Sequence, residues 1–470
     1  MLRFFRINDP YRLVGLLVIL ILIYIPFFIN GSILTVPELR SMLVGEKLLD
    51  GSVPYSSLID STGPISAWFF ALIDAVFGRS LTGRHVLAFI VLFSQSAYLG
   101  TILINKKAFS ENTYLPSFIF SVLAFFSFDV LSISSELIGC GFLLLALSNL
   151  FKQIEFRTQR DETIFNLGIY ISLASLCNFS FVVHLLGVIT ILVIYTRTSV
   201  RGFLLLVFGF VLPHVVVISL YYLNGHLGDL WLYYYLPNVS FGADKLIGGY
   251  SLFILGAVPL FFLLVSMVML NREARFTKYQ SQLLQSMFVW MLFSFLQILY
   301  SRNLRPQSFI TLIPAFCFFL THFLLLIRRK RFAEIAVWML LCGVASVSYM
   351  AYFNKLSSVD YQSLYVKKND SGIVNKKVLV LGNDFDIYQN NTLATPFLDW
   401  DLSREILEHP DYYENVIEVY NVFKTDPPEV IYDKDKLIKK FFDRIPALRG
   451  EYKETKPGVF VHRVKPATSK

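Results

Sequence analysis

Charge is scarce in this chain of 470 residues: Asp, Glu, Lys and Arg together make up 16% of it, where soluble domains carry about 25%. That shortage excludes a single water-soluble globule. Cysteine is scarce too. Cys140, Cys177, Cys317 and Cys342 all lie in or beside apolar segments, with no Cys-x-x-Cys or Cys/His spacing. They read as small buried hydrophobes rather than disulfide partners or metal ligands. A Gly-x-Gly-x-x-Gly turn is missing, since Gly382-Asn383-Asp384 does not fit it, so no dinucleotide site is expected. The first apolar run lacks a small-residue cleavage site and reads as a signal anchor. The formal net charge is +8, but the cations are spread over short loops, which excludes nucleic acid as a partner.

Apolar and aromatic side chains fill the gap. The chain is 55% hydrophobic, with 45 Phe and 25 Tyr, and its mean hydropathy is +0.56. A span needs about 20 apolar residues. Runs at approximately 12–29, 83–104, 113–129, 133–152, 163–178, 180–195, 201–222, 248–270, 281–299, 308–327 and 333–352 predict about eleven spans. The apolar stretch 64–78 is too short to cross. It reads as an interfacial helix with Trp68, Phe69 and Phe70 toward lipid or the bundle.

Orientation follows from Lys and Arg in the short loops. With a cytoplasmic N-terminus, one face holds Arg3, Arg6, Arg12, Lys106, Lys107, Lys152, Arg157 and Arg160. The same face holds Arg197, Arg201, Arg272, Arg275, Lys278 and the run Arg328-Arg329-Lys330-Arg331. The opposite loops are longer and hold only Arg40, Lys47, Arg79, Lys245, Arg302 and Arg305. An odd span count then puts the C-terminal segment outside, which predicts a multi-pass membrane protein with an outside C-terminal domain. The expected architecture is an all-α polytopic membrane bundle over 1–355, with a long first outside loop at 30–82. A small α/β domain over 356–470 follows it.

In that domain, Lys377–Gly382 reads as a buried strand and 402–424 as helix broken at Pro410. Glu429–Asp433 reads as a second strand, and Leu437, Ile438, Phe441, Phe442 and Ile445 as one helical face. Tyr452 and Gly458–His462 close with a hairpin. The alternation predicts a small βαβ-type sheet acting as a lid or recognition module.

Four acids stand near span ends on the outside face: Glu38, Asp60, Asp129 and Glu136. Converging, they would serve as a general base or hold a divalent cation against phosphate oxygens. The plainer reading of Asp129 and Glu136 is helix capping. Arg302 and Arg305 run against the positive-inside trend. A guanidinium fork matches a lipid phosphate at headgroup level, the alternative being a snorkelling anchor. His184 and His214 fall inside spans as hydrogen-bonded core histidines. His226, near Trp231 and the run Tyr233-Tyr234-Tyr235, is placed to touch a ligand, though an interfacial aromatic belt is the plainer reading.

The first outside loop carries the most specific pattern. It reads Pro37-Glu38-Leu39, Gly51-Ser52-Val53-Pro54-Tyr55, Asp60, Gly63-Pro64, Phe77-Gly78-Arg79-Ser80 and Arg84. This resembles the opening of the C-type (GT-C) glycosyltransferases, multispan enzymes that use polyprenyl-phosphate-linked sugars. Arg305-Pro306-Gln307 with Ile313-Pro314-Ala315 is similar to a late segment of that family. The resemblance implies sugar transfer from a polyprenyl-phosphate carrier to an acceptor on the periplasmic side. Glu38 and Asp60 would then be catalytic, Asp129 and Glu136 supporting acids, and Arg302 and Arg305 the lipid-phosphate clamp. The family opens with an Asp-Glu pair, and here Pro37 replaces the Asp. Either Glu38 or another acid such as Asp60 supplies the base, or the chain is an inactive scaffold subunit of an envelope or secretion assembly.

Overall fold

The computed structural model describes residues 1–29, 31–156, 160–196, 198–240, 244–273, 276–368 and 372–463. Arg157, Arg197 and Arg275 of the basic face lie outside the described residues. The chain divides into two compact units.

The first unit, residues 1–32, 80–217 and 241–364, is helical. Eight helices among the described residues are long and apolar enough to cross a membrane: Arg12–Ile29, Leu81–Asn105, Ser135–Glu155, Val200–Leu223, Gly249–Arg272, Lys278–Tyr300, Pro306–Leu326 and Lys330–Tyr352. The other three expected spans are shorter helices, Leu115–Ala124, Asp161–Cys177 and Val183–Tyr195. Each is cut by local chemistry. A 3₁₀ turn at Phe128–Leu131 follows the first, and Asn178 breaks the run between the other two by accepting the Ser180 N–H at 3.1 Å.

Helix contacts rest on small residues, since apolar burial alone does not drive association in lipid. A Cβ on Gly168 would meet the Leu206 carbonyl, and one on Gly209 the Phe165 carbonyl, so Asp161–Cys177 and Val200–Leu223 touch backbone to backbone. The histidines behave as expected: His184 Nε2 lies 3.2 Å from Ser294 Oγ and His214 Nε2 3.0 Å from Ser175 Oγ. Cys140, Cys177 and Cys317 are buried, but Cys342 is exposed, because it sits on the outer side of Lys330–Tyr352.

The second unit joins three stretches: 33–79, 218–240 and 365–470. The first outside loop therefore folds with the C-terminal segment. It holds two helices, Val36–Leu49 and Pro64–Phe77, which pack so closely that a Cβ on Gly45 would come 2.7 Å from the Phe70 carbonyl. Phe70 accordingly faces inward, whereas Trp68, Phe69, Leu72 and Val76 are exposed along one side. Of the trio expected toward lipid or the bundle, Trp68 and Phe69 are thus exposed and Phe70 is buried.

The sheet has strands β1 (Lys377–Leu381), β2 (Thr392–Leu393), β3 (Val430–Asp433), β4 (Tyr452–Lys456) and β5 (Val459–His462), ordered β2-β1-β3-β5-β4. β1 pairs parallel with β2 and β3, with Val378 opposite Val430, and the β4–β5 hairpin adds antiparallel to β3. Helices Trp400–Glu408 and Tyr413–Thr425 form the crossover, separated at Pro410 as expected. Leu379, Ile431, Phe423, Phe441 and Phe460 fill the core beneath them, together with Ile59 from the first loop.

Candidate active site

In the first unit, the turn after Leu115–Ala124 meets the segment opening the 306–326 helix. Asp129 Oδ2 accepts the Gln307 N–H at 2.8 Å. Gln307 Nε2 donates to the Ser132 carbonyl at 2.9 Å, and Ser132 Oγ to the Asp129 carbonyl at 2.7 Å. Pro306 leaves Gln307 to supply the donor there. Behind them the Asp129 N–H donates to Tyr361 Oη at 3.1 Å, and that hydroxyl lies 2.7 Å from Ser127 Oγ. Glu136, in the first turn of Ser135–Phe156, takes both donors of one guanidinium edge of Arg305; Nε donates to Oε1 at 3.2 Å and Nη2 donates to Oε2. The pair is sealed, with side chains 12% and 3% exposed.

Two atoms in this region stay unsatisfied among the described residues: Asp129 Oδ1 and Arg302 Nη1, both buried and without a hydrogen-bond partner. Burial pushes the Asp129 carboxyl up to about 6, against the lowering pull of Ser127, Arg305 and Gln307. Of the cations in the loops expected outside, Arg40, Lys47, Arg79 and Arg305 each pair with a carboxylate. Arg302 pairs with none among the described residues.

In the second unit, Glu38 occupies the first turn of Val36–Leu49, two residues after the break at Val36 and directly after Pro37. A first-turn proline costs nothing, because its missing N–H would have no helical partner, and an acid is favoured there by the helix dipole. Glu38 is only 2% exposed. Asp60 is held differently. Its Oδ2 accepts the Thr62 N–H at 2.9 Å and its Oδ1 accepts from Arg40 at 2.7 Å. Arg40 also donates to Asp399 Oδ2 at 2.5 Å. Burial pulls that guanidinium's proton affinity down, yet the Asp60 and Asp399 carboxylates outweigh it and raise it. Asp60 is therefore a fastener. It locks the first loop to the segment 396–399, where the Ile59 N–H also donates to the Pro396 carbonyl at 2.7 Å.

The acids consequently fall in two groups, Asp129 and Glu136 in one unit and Glu38 and Asp60 in the other. No three His, Cys, Asp or Glu side chains among the described residues are grouped to hold a metal ion. With Asp60 and Glu136 spent on arginines, the donor set does not fit a divalent cation, and no step is derived through one. The roles of Arg40, Asp399 and Tyr361 escaped the sequence reading. Arg40 and Asp399 are 359 residues apart, so no local pattern could pair them.

No protein-family model and no curated protein sequence matches the chain. Among solved structures it is similar to ArnT from Cupriavidus metallidurans bound to undecaprenyl phosphate. The TM-score is 0.57 at 10% identity, over 97% of this chain and 98% of that one. The apo form of the same protein gives 0.56 at 12%, over 96% and 98%. The oligosaccharyltransferase from Archaeoglobus fulgidus in its apo form gives 0.47 at 11%, over 97% of this chain and 75% of that one. The protein is thus a multi-pass membrane protein. Its fold is the GT-C membrane fold, with a small mixed sheet in the C-terminal region.

Proposed function

We propose that the protein is a membrane glycosyltransferase that moves a sugar from a polyprenyl-phosphate carrier to an acceptor on the periplasmic side of a bacterial inner membrane. The acceptor nucleophile forms a bond to the anomeric carbon, the carbon–oxygen bond to phosphate breaks, and the polyprenyl phosphate leaves with the bonding pair. The acceptor's proton goes to a carboxylate. Glu38 is assigned that proton from its place directly after Pro37, where the resemblance puts the acidic pair. Arg302 is assigned the phosphate, where a charge-assisted fork offsets developing charge. Arg305 and Glu136 hold the segment that carries Gln307, and Asp129 is the supporting acid.

The observation that carries this reading is Arg302: a guanidinium with a buried, unsatisfied nitrogen in a loop whose neighbouring cation is already neutralised. Burying such a donor is costly without an anion to complete it. The test uses membranes holding the full chain and a panel of undecaprenyl-phosphate-linked hexoses, read as free undecaprenyl phosphate released. Wild type is expected to release it, Glu38→Gln to lose at least a hundredfold in rate, and Asp60→Asn to lose rate only in step with loss of folded protein. Full activity in Glu38→Gln overturns the assignment of the base.

Pro37 favours a second reading, an inactive scaffold that keeps the lipid site. It predicts that wild type binds undecaprenyl phosphate and releases none from any linked sugar.

A further inference from the structure

The segment after Val200–Leu223 was expected to be a loop, and it folds. Residues 227–230 and 236–239 are α-helical turns on either side of a π-helical turn, Trp231–Tyr235. A π turn shifts helical register, and such turns recur at functional positions. Here it sorts the side chains onto two edges. Leu230 and Tyr234 are buried, with Tyr234 5.7 Å from the Tyr55 ring. Asn238 Nδ2 donates to the Ser61 carbonyl at 3.2 Å and to the Tyr234 carbonyl at 2.7 Å. Tyr55 in turn donates to the Thr62 carbonyl at 2.6 Å and packs 5.6 Å from Tyr221. The inner edge therefore grips the Pro54-Tyr55 and Asp60-Ser61 parts of the first loop, within one compact unit.

The outer edge is apolar and bare: Leu227, Trp231, Leu232, Leu236 and Val239 are all exposed. What covers it follows from the chain itself. The preceding span exposes an apolar face along its length, ending in Leu220, Tyr222 and Leu223. Gly225, in the left-handed region at φ +79°, then ends that helix in a turn, with the His226 N–H donating to the Tyr221 carbonyl at 2.9 Å. Four peptide steps from Leu223 to Leu227 reach about 14 Å at full extension, so the segment starts close to the span's end. Its bare edge follows in sequence directly on the exposed apolar residues that end the span, and a tryptophan beside leucines suits the headgroup–acyl boundary. We propose that residues 227–239 form a lipid-seated strap, whose outer edge lies in the interfacial layer of the bilayer while its inner edge holds the first loop in place. Tyr233 and Tyr234 do not belong to the expected aromatic belt: the one packs against the C-terminal core and the other is buried.

Nitroxide labels on single cysteines test this in the full chain, with Cys342→Ser removing the exposed native thiol. The protein is reconstituted in phosphatidylcholine–phosphatidylglycerol vesicles, and collision with oxygen is compared with collision with a water-soluble nickel chelate. Labels at Leu232→Cys and Leu236→Cys are expected to favour oxygen several-fold, as a label at Phe208→Cys on the span should. Glu414→Cys is expected to favour nickel. Nickel access at 232 and 236 equal to that at 414 overturns the proposal, as does shielding of both sites from both reagents, which would mean a protein covers the edge. With Leu232→Asp and Leu236→Asp combined, a label at Val239→Cys is expected to move toward nickel. If it stays oxygen-accessible, the span alone sets the depth and the strap has no seat of its own.

Discussion

Asp129 carries its proton into the range near pH 6 because burial disfavours its charge, and that has a consequence for stability. An unfolded aspartate releases its proton near pH 4. Below that, both states are protonated and the group contributes nothing to pH dependence. Above about pH 6 the folded chain holds a buried carboxylate, which costs up to about 3 kcal/mol relative to the unfolded chain. Stability from this group is therefore lost as pH rises from 4 to 6. Asp129→Asn, uncharged throughout, is expected to melt increasingly above wild type as pH goes from 4 to 7 in detergent micelles. A gap that stays constant with pH would contradict the assignment. Arg305 is the opposite case, already paired with Glu136. Arg305→Ala strands a carboxylate that is 3% exposed and should cost about 3–5 kcal/mol. Arg305→Ala combined with Glu136→Gln should recover part of that loss. Melting temperatures of the three proteins check it, and identical melting of single and double variants would show that the pair is not coupled.

At the level of elements, packing depends on close approach between backbones. Gly209→Ala places a Cβ against the Phe165 carbonyl and the Ile169 amide, so the helices must separate, at about 1–3 kcal/mol. Gly256→Ala, where a Cβ meets nothing within 4 Å, is the control expected to leave melting unchanged. Element boundaries were largely legible, because apolar run length and turn residues act locally. β1, β3, the closing hairpin and the break at Pro410 all sit where periodicity and proline place them. Helix Val36–Leu49 was missed, though Pro37 at its start and Leu39, Met42 and Leu43 on one face would have marked it. The span expected at 113–129 was overestimated because hydropathy continues through Phe125–Phe128 after the helix has stopped. The Arg40–Asp60–Asp399 lock was beyond any local pattern, since only tertiary folding brings those residues together.

For the whole molecule, the charge pattern makes a claim about sidedness that probes in intact cells can read. In a Cys342→Ser background, Glu414→Cys is expected to react with an impermeant maleimide in spheroplasts, and Lys278→Cys only after lysis. The reverse result would invert every loop and place the C-terminal sheet in the cytoplasm. The proposed function has this chain hold a polyprenyl phosphate through Arg302. Native mass spectrometry of the purified protein with undecaprenyl phosphate, against an equal excess of phosphatidylglycerol, tests it directly. Wild type and Glu38→Gln should retain the polyprenyl lipid, and Arg302→Ala should lose at least tenfold in occupancy while melting as wild type does. Equal retention by Arg302→Ala, or no preference over phosphatidylglycerol, would contradict the account.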